Sequence, residues 1–141
     1  NAQPGKETAR VREEANASFG AKREARYDLE ERLLEFAATV VQLADLLPNT
    51  KAANHIAGQL LRCGTSPLAN HGEVQAAESR KDFLHKLGIC LKELRETKRW
   101  LRLIRLLSLV DQATSITAVA EVEQLVKIFA ASIRTAEKNA R

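Results

Sequence analysis

Between Ser79 and Leu107 the chain has no proline and one glycine, Gly88, and its apolar residues keep a regular rhythm. Phe83, Leu87, Cys90, Leu94, Thr97, Leu101 and Ile104 follow one another at steps of four and three. That spacing places them on one stripe of a single long helix, and such a stripe must be buried against other helices. Two residues earlier at each step, on the opposite side, lie Lys81, His85, Lys92, Arg95, Arg99 and Arg102. One helix therefore carries a core seam and a basic ribbon. Ser79 with Asp82 three residues on is a short-chain version of the capping box that starts helices.

Three further stretches share the rhythm. From about Tyr27 to Leu47 the stripe is Leu29, Leu33, Phe36, Val40, Leu43 and Leu47, and Pro48 stops it, with Asn49 or Thr50 as the next cap. A second helix starts near Lys51 with Ala53, Ile56, Leu60 and Cys63 on one face. Its Gly64-Thr65-Ser66-Pro67 run reads locally as an end, but Leu68 to Asn70 continue the pattern. A kinked or interrupted helix reaching about Ala76 is expected, with the Thr65 and Ser66 hydroxyls satisfying the backbone that Pro67 frees. Asn70 falls inward there, as a structural lock that needs a partner in Thr65, Ser66 or a nearby carbonyl. A polar link from Asp111 to Thr117 should precede a last helix from about Ala118 to Glu137, capped by Thr117, with Val119, Val122, Val126, Phe129, Ile133 and Ala136 buried. Four amphipathic helices with short links predict an all-α, antiparallel up-down-up-down four-helix bundle over residues 27–141. Residues 1–26 carry few large apolar side chains and read as a mobile tail.

With 141 residues the chain is one domain long enough to bury a real core. Two cysteines do not make a disulfide framework, and Cys63 and Cys90 both fall on apolar stripes, where a thiol acts as a small hydrophobe. No apolar run approaches the roughly 20 residues that span a bilayer. The expectation is a cytoplasmic protein without a membrane partner.

Catalytic and metal patterns do not emerge. Glu73 with Glu78, and Glu93 with Glu96, lack an accompanying E-x-x-H histidine. His55, His71 and His85 stand at no zinc-ligand spacing with one another or with the cysteines. Glycine patterns for phosphates or dinucleotides and a nucleophile elbow are missing. We therefore expect a protein that is not an enzyme and uses no cofactor or metal.

What stands out is charge and surplus hydrophobicity. The net charge is only +4 and the pI about 9.3, yet residues 79–107 hold nine Lys or Arg against Asp82, Glu93 and Glu96, a local +6. The first helix is acidic, at −4 over residues 28–47. The basic helix should lie beside it or turn its cations to solvent. With aromatics at 4% of residues, a base-stacking platform is disfavoured, whereas a row of cations about 30 Å long can follow several phosphates. Trp100, Leu103, Leu106 and Leu107 exceed what one seam needs, as do Leu34 and Val41 on the first helix and Leu125 and Ile128 on the last. Such a surplus points to a self-association interface, unless a neighbouring helix or the 109–117 link covers Trp100 and Leu103. Two readings follow: an oligomeric protein that contacts RNA or DNA backbone through Lys81, His85, Lys92, Arg95, Arg99 and Arg102, or a protein-interaction scaffold whose ribbon is only solvated.

Particular residues also carry a resemblance. Gln59, Leu60 and Arg62, then Ser66, Ala69 and Asn70, then Ser79 to Phe83, and Leu91 to Thr97 with its Leu-Lys-Glu-x-Arg-Glu-Thr run, resemble the four-helix-bundle proteins encoded in intervening sequences of bacterial ribosomal RNA genes. The resemblance implies a ring-shaped homopentamer. It is similar in fold to the accessory proteins of diversity-generating retroelements, which implies nucleic acid and a reverse transcriptase as partners. The chain departs from the pattern at Leu68, His71, Gly72 and Cys90, which blurs the role of the stretch after Ser66.

Overall fold

The computed structural model describes residues 29–139. The chain divides into two units at Arg32, and the packing that follows is that of Leu33–Arg141. The expected tail and the start of the first helix lie outside the described residues. Among the described residues there are four helices: α1 over residues 29–46, α2 (Lys51–Gln75), α3 (Arg80–Leu106) and α4 (Gln112–Asn139).

Local chemistry sets the helix ends. Thr50 Oγ1 accepts from the Ala53 N–H at 3.1 Å to start α2, and Ser79 Oγ accepts from the Asp82 N–H at 3.1 Å to start α3. Asp82 reaches back to the Glu78 N–H at 3.3 Å, one residue further than a capping box would. At the far end of α3, Leu109 N–H donates to the Ile104 carbonyl and Ser108 N–H to that of Arg105, both at 3.1 Å. This is a Schellman closure, with Ser108 in the left-handed conformation at φ 50° where glycine is usual.

Of two expectations about the helices, one is met in extent but not in interruption, and the other is corrected. First, α2 reaches Gln75, close to the expected Ala76, and is helical without a break from Lys51 with Pro67 inside it. The Thr65 hydroxyl donates to the Leu61 carbonyl at 2.6 Å, not to the Cys63 carbonyl that Pro67 leaves without its donor. Cys63, Gly64, Pro67 and His71 are all buried, so core packing keeps the helix going where the local sequence favours a stop. Second, α4 begins at Gln112, six residues before the expected Ala118. Asp111, not Thr117, serves its start, accepting from the Thr114 N–H at 3.0 Å and the Thr114 hydroxyl at 2.6 Å. Of the expected stripe Val119, Val122 and Phe129 are buried, joined by Ser115, Ala118 and Leu125. Leu125 is core, and Val126, Ile133 and Ala136 are only half-buried.

Ion pairs and one hydrogen bond between helices show the helix directions. Residues 62 and 73 of α2 meet 93–96 and 86 of α3, and residues 80 and 98 of α3 meet 139 and 123 of α4. Numbers rise on one helix as they fall on the next, so α2–α3 and α3–α4 are antiparallel pairs. α3 packs against both α2 and α4, while His71 of α2 meets the edge of Phe129 of α4, with ring centroids 6.4 Å apart. α1 approaches α2 closely at Gly64, where a Cβ would stand 2.7 Å from Val40 Cγ1. Leu33, Phe36, Val40, Leu43, Leu60, Cys63, Cys90, Leu94, Leu101, Ile104, Val122, Leu125 and Phe129 form the core. The cysteines are free, and burial pushes the Cys90 thiol up to about 11 and raises Cys63.

Candidate nucleic-acid interface on α3

The seam of α3 is buried from Leu87 to Ile104, with Leu91 added and Phe83 only half-covered. The opposite face must then look outward. Lys81, His85, Lys92, Arg95, Arg99 and Arg102 are all exposed. From Lys81 to Arg102 they extend about 32 Å along the helix at a 1.5 Å rise per residue.

The electrostatics of α3 depend on where its three acids sit. All three occupy the flank turned to α2, or pair along that flank. Asp82 holds Lys86 Nζ at 3.0 Å, and Lys86 also reaches Glu73 of α2 at 3.7 Å. Lys86 and the Glu78 N–H together hold the Asp82 carboxyl below the usual aspartate range. Glu93 and Glu96 both pair with Arg62 of α2, Glu93 at 3.3 Å. On the other flank Lys98 pairs with Glu123 of α4 at 3.5 Å, and Arg80 donates to the Asn139 carbonyl. Among the described residues, Lys81, Lys92, Arg95, Arg99 and Arg102 have no carboxylate partner.

The four residues assigned to an interface separate into two pairs. Trp100 is half-buried, meets the edge of His55 from α2 at 6.1 Å and 77°, and directs its Nε1–H toward Glu96 at 3.5 Å. Leu103 is half-buried too. Leu106 and Leu107 are open, at 81% and 52% exposure, and Leu106 follows Arg102 by four residues, in line with the ribbon. Leu34 and Val41 are exposed on α1.

The remaining candidates also find places. Asn70 is half-buried, not inward, and donates to Ser66 Oγ at 2.9 Å, one of the partners foreseen for it. His55 and His85 are exposed and His71 is buried. Among the described residues no group of three or more His, Cys, Asp or Glu is placed to hold a metal, and no helix is long and apolar enough to cross a membrane. The residue that sequence reasoning left out is Arg62. Its signal was present, since Gln59, Arg62, Glu93 and Glu96 lie in the runs that carry the resemblance, but their meeting across two helices is a tertiary fact.

Fold and site define an all-α four-helix bundle with a row of cations along the exposed face of α3. Residues 26–131 match the 23S rRNA-intervening sequence protein family, and the chain belongs to that family. It is similar to a protein of unknown function from the S23 ribosomal protein family of Bacteroides thetaiotaomicron, solved by crystallography at 1.70 Å. Identity is 33%, the match covers 74% of this chain and 97% of that one, and the TM-score is 0.70. None of the curated proteins matches the chain.

Proposed function

We propose that this family member is a non-enzymatic protein that associates with RNA or DNA through the outer face of α3. The observation that carries the reading is the ribbon itself: five cations along one exposed face, with the acids of the same helix engaged elsewhere. Contacts of this type are made to phosphates, which carry no sequence information, so binding is sequence-independent. Self-association into a homo-oligomeric ring, pentameric as the resemblance implies, belongs to the same reading because it repeats the ribbon. Exposed Leu106 and Leu107 favour it.

Replacing Arg95, Arg99 and Arg102 together by Gln tests the proposal. Each lost phosphate contact removes roughly 0.7–0.9 from the slope of log affinity against log salt, so the triple variant should lose about two to three. Binding that is unchanged in a folded triple variant overturns the reading. A second reading, a scaffold that docks a protein such as a reverse transcriptase, is favoured by Leu34 and Val41, exposed at 48% and 42% and seven residues apart on α1. It predicts partner binding that resists salt and is lost when both become Ser.

A further inference from the structure

Glu96 has two possible sets of partners. Across the helix pair it is held by Arg62 of α2, whose guanidinium also reaches Glu93 at 3.3 Å and Gln59 Oε1 at 3.2 Å. Along its own helix it has Lys92 four residues before and Arg99 three residues after, both members of the ribbon. Opposite charges at those spacings pair on a helix surface. Glu93 has no such choice: the residues three and four away on either side are Cys90, Ile89, Glu96 and Thr97. Asp82 is occupied with Lys86. Glu96 is therefore the one acid of the lower half of α3 able to neutralise the ribbon.

We infer that Arg62, which lies outside the ribbon, is a positioning residue for it: by holding Glu96 against α2 it leaves Lys92 and Arg99 free for a polyanionic ligand. A guanidinium suits this role because its planar fork engages two carboxylates at once, where a lysine offers a single point charge. The Trp100 indole N–H, directed at the same Glu96 oxygen, helps keep the carboxylate on that flank. The inference rests on the nucleic-acid reading for the identity of the ligand, while the competition for Glu96 operates toward any polyanion.

The test uses the full chain, with Arg62→Gln, Arg62→Lys, Glu96→Gln and the Arg62→Gln/Glu96→Gln double variant. Lys98→Gln is the control, because it removes an α3 cation already paired with Glu123. Folding is checked by circular dichroism. Binding is measured against salt for two probes, heparin and a mixed-sequence RNA duplex. On heparin, Arg62→Gln should lower the salt slope by about one, since the single charge of Glu96, shared between Lys92 and Arg99, offsets one cation. Arg62→Lys should lower it by less than Arg62→Gln, and Lys98→Gln should leave it nearly unchanged. Adding Glu96→Gln to Arg62→Gln should return the slope to the wild-type value, a larger gain than Glu96→Gln produces alone. The inference is overturned if Arg62→Gln matches Lys98→Gln, or if Glu96→Gln acts equally in both backgrounds. A merely structural role for Arg62 would not be rescued by a second substitution. The RNA arm separates the two ideas: the heparin pattern without RNA binding removes the nucleic-acid reading and leaves the role of Arg62 standing, and RNA binding without the pattern does the reverse.

Discussion

Gly64 of α2 and Gly88 of α3 both lie inside long helices, where glycine costs about 0.5–1 kcal/mol relative to alanine, but their surroundings differ. At Gly64 the neighbouring helix has moved in: a Cβ would lie 2.7 and 2.9 Å from the two methyl groups of Val40. At Gly88 a Cβ would meet nothing within 4 Å, and the residue stands in the ribbon register between His85 and Lys92. On the inner side of the bundle, residue choice is dictated by contact with the rest of the chain. On the outer face of α3 the fold asks for neither the glycine nor the unpaired cations.

The largest test of this contrast is Gly64→Val. Val40 is β-branched and stiff, so the added side chain cannot be accommodated by a simple swing, and overpacking should cost about 1–3 kcal/mol. Val40→Ala in the same chain should recover a good part of that, because it returns the volume. Denaturant melts of the two single variants and the double give the coupling, and a value near zero would mean that the α1–α2 approach is not tight. A smaller effect of opposite sign is expected at Gly88→Ala, a gain of roughly 0.5–1 kcal/mol from helix propensity alone. If Gly88→Ala destabilises, the fold does use that glycine and the contrast fails.

The same division explains what was legible in the sequence. The seams of α2 and α3 follow from periodicity, and the exposure of the ribbon follows from lying opposite a seam. The reach of α2 past Pro67 was legible in the pattern of Leu68 to Asn70, but its freedom from a break was not, since that depends on burying Cys63, Gly64 and His71, the last against a phenylalanine 58 residues away. The start of α4 was misread because Thr114, Ser115, Ile116 and Thr117 are all weak helix formers. Asp111 overrides them by accepting two hydrogen bonds from Thr114. The reversal at Ser108 was hidden because a serine there gives no sign of the left-handed conformation. As for the site, its cations were visible one by one. Their lack of partners was not, since Arg62 draws off acids 31 and 34 residues away.

The helix starts offer the smallest test, one that separates local from tertiary control. Asp111 is exposed, and its carboxyl is held below the usual aspartate range first by the Thr114 hydroxyl and then by the Thr114 N–H. A group whose folded value is depressed adds stability above its unfolded value, and that contribution fades as pH falls through the folded one. Thermal melts of the wild type between about pH 5 and about pH 3 should therefore fall more steeply than those of Asp111→Asn, which keeps a capping oxygen but cannot titrate. Because the interaction is local to the first turn of α4, the difference should survive in the Gly64→Val background unchanged, as expected of independent sites. Equal slopes for the two proteins would show that Asp111 does not start α4, and that burial of Ser115 and Ala118 begins the helix from within. In that case the end of α4 would be set by packing, as Gly64 is, and the line between inner and outer control would have to be redrawn through that turn.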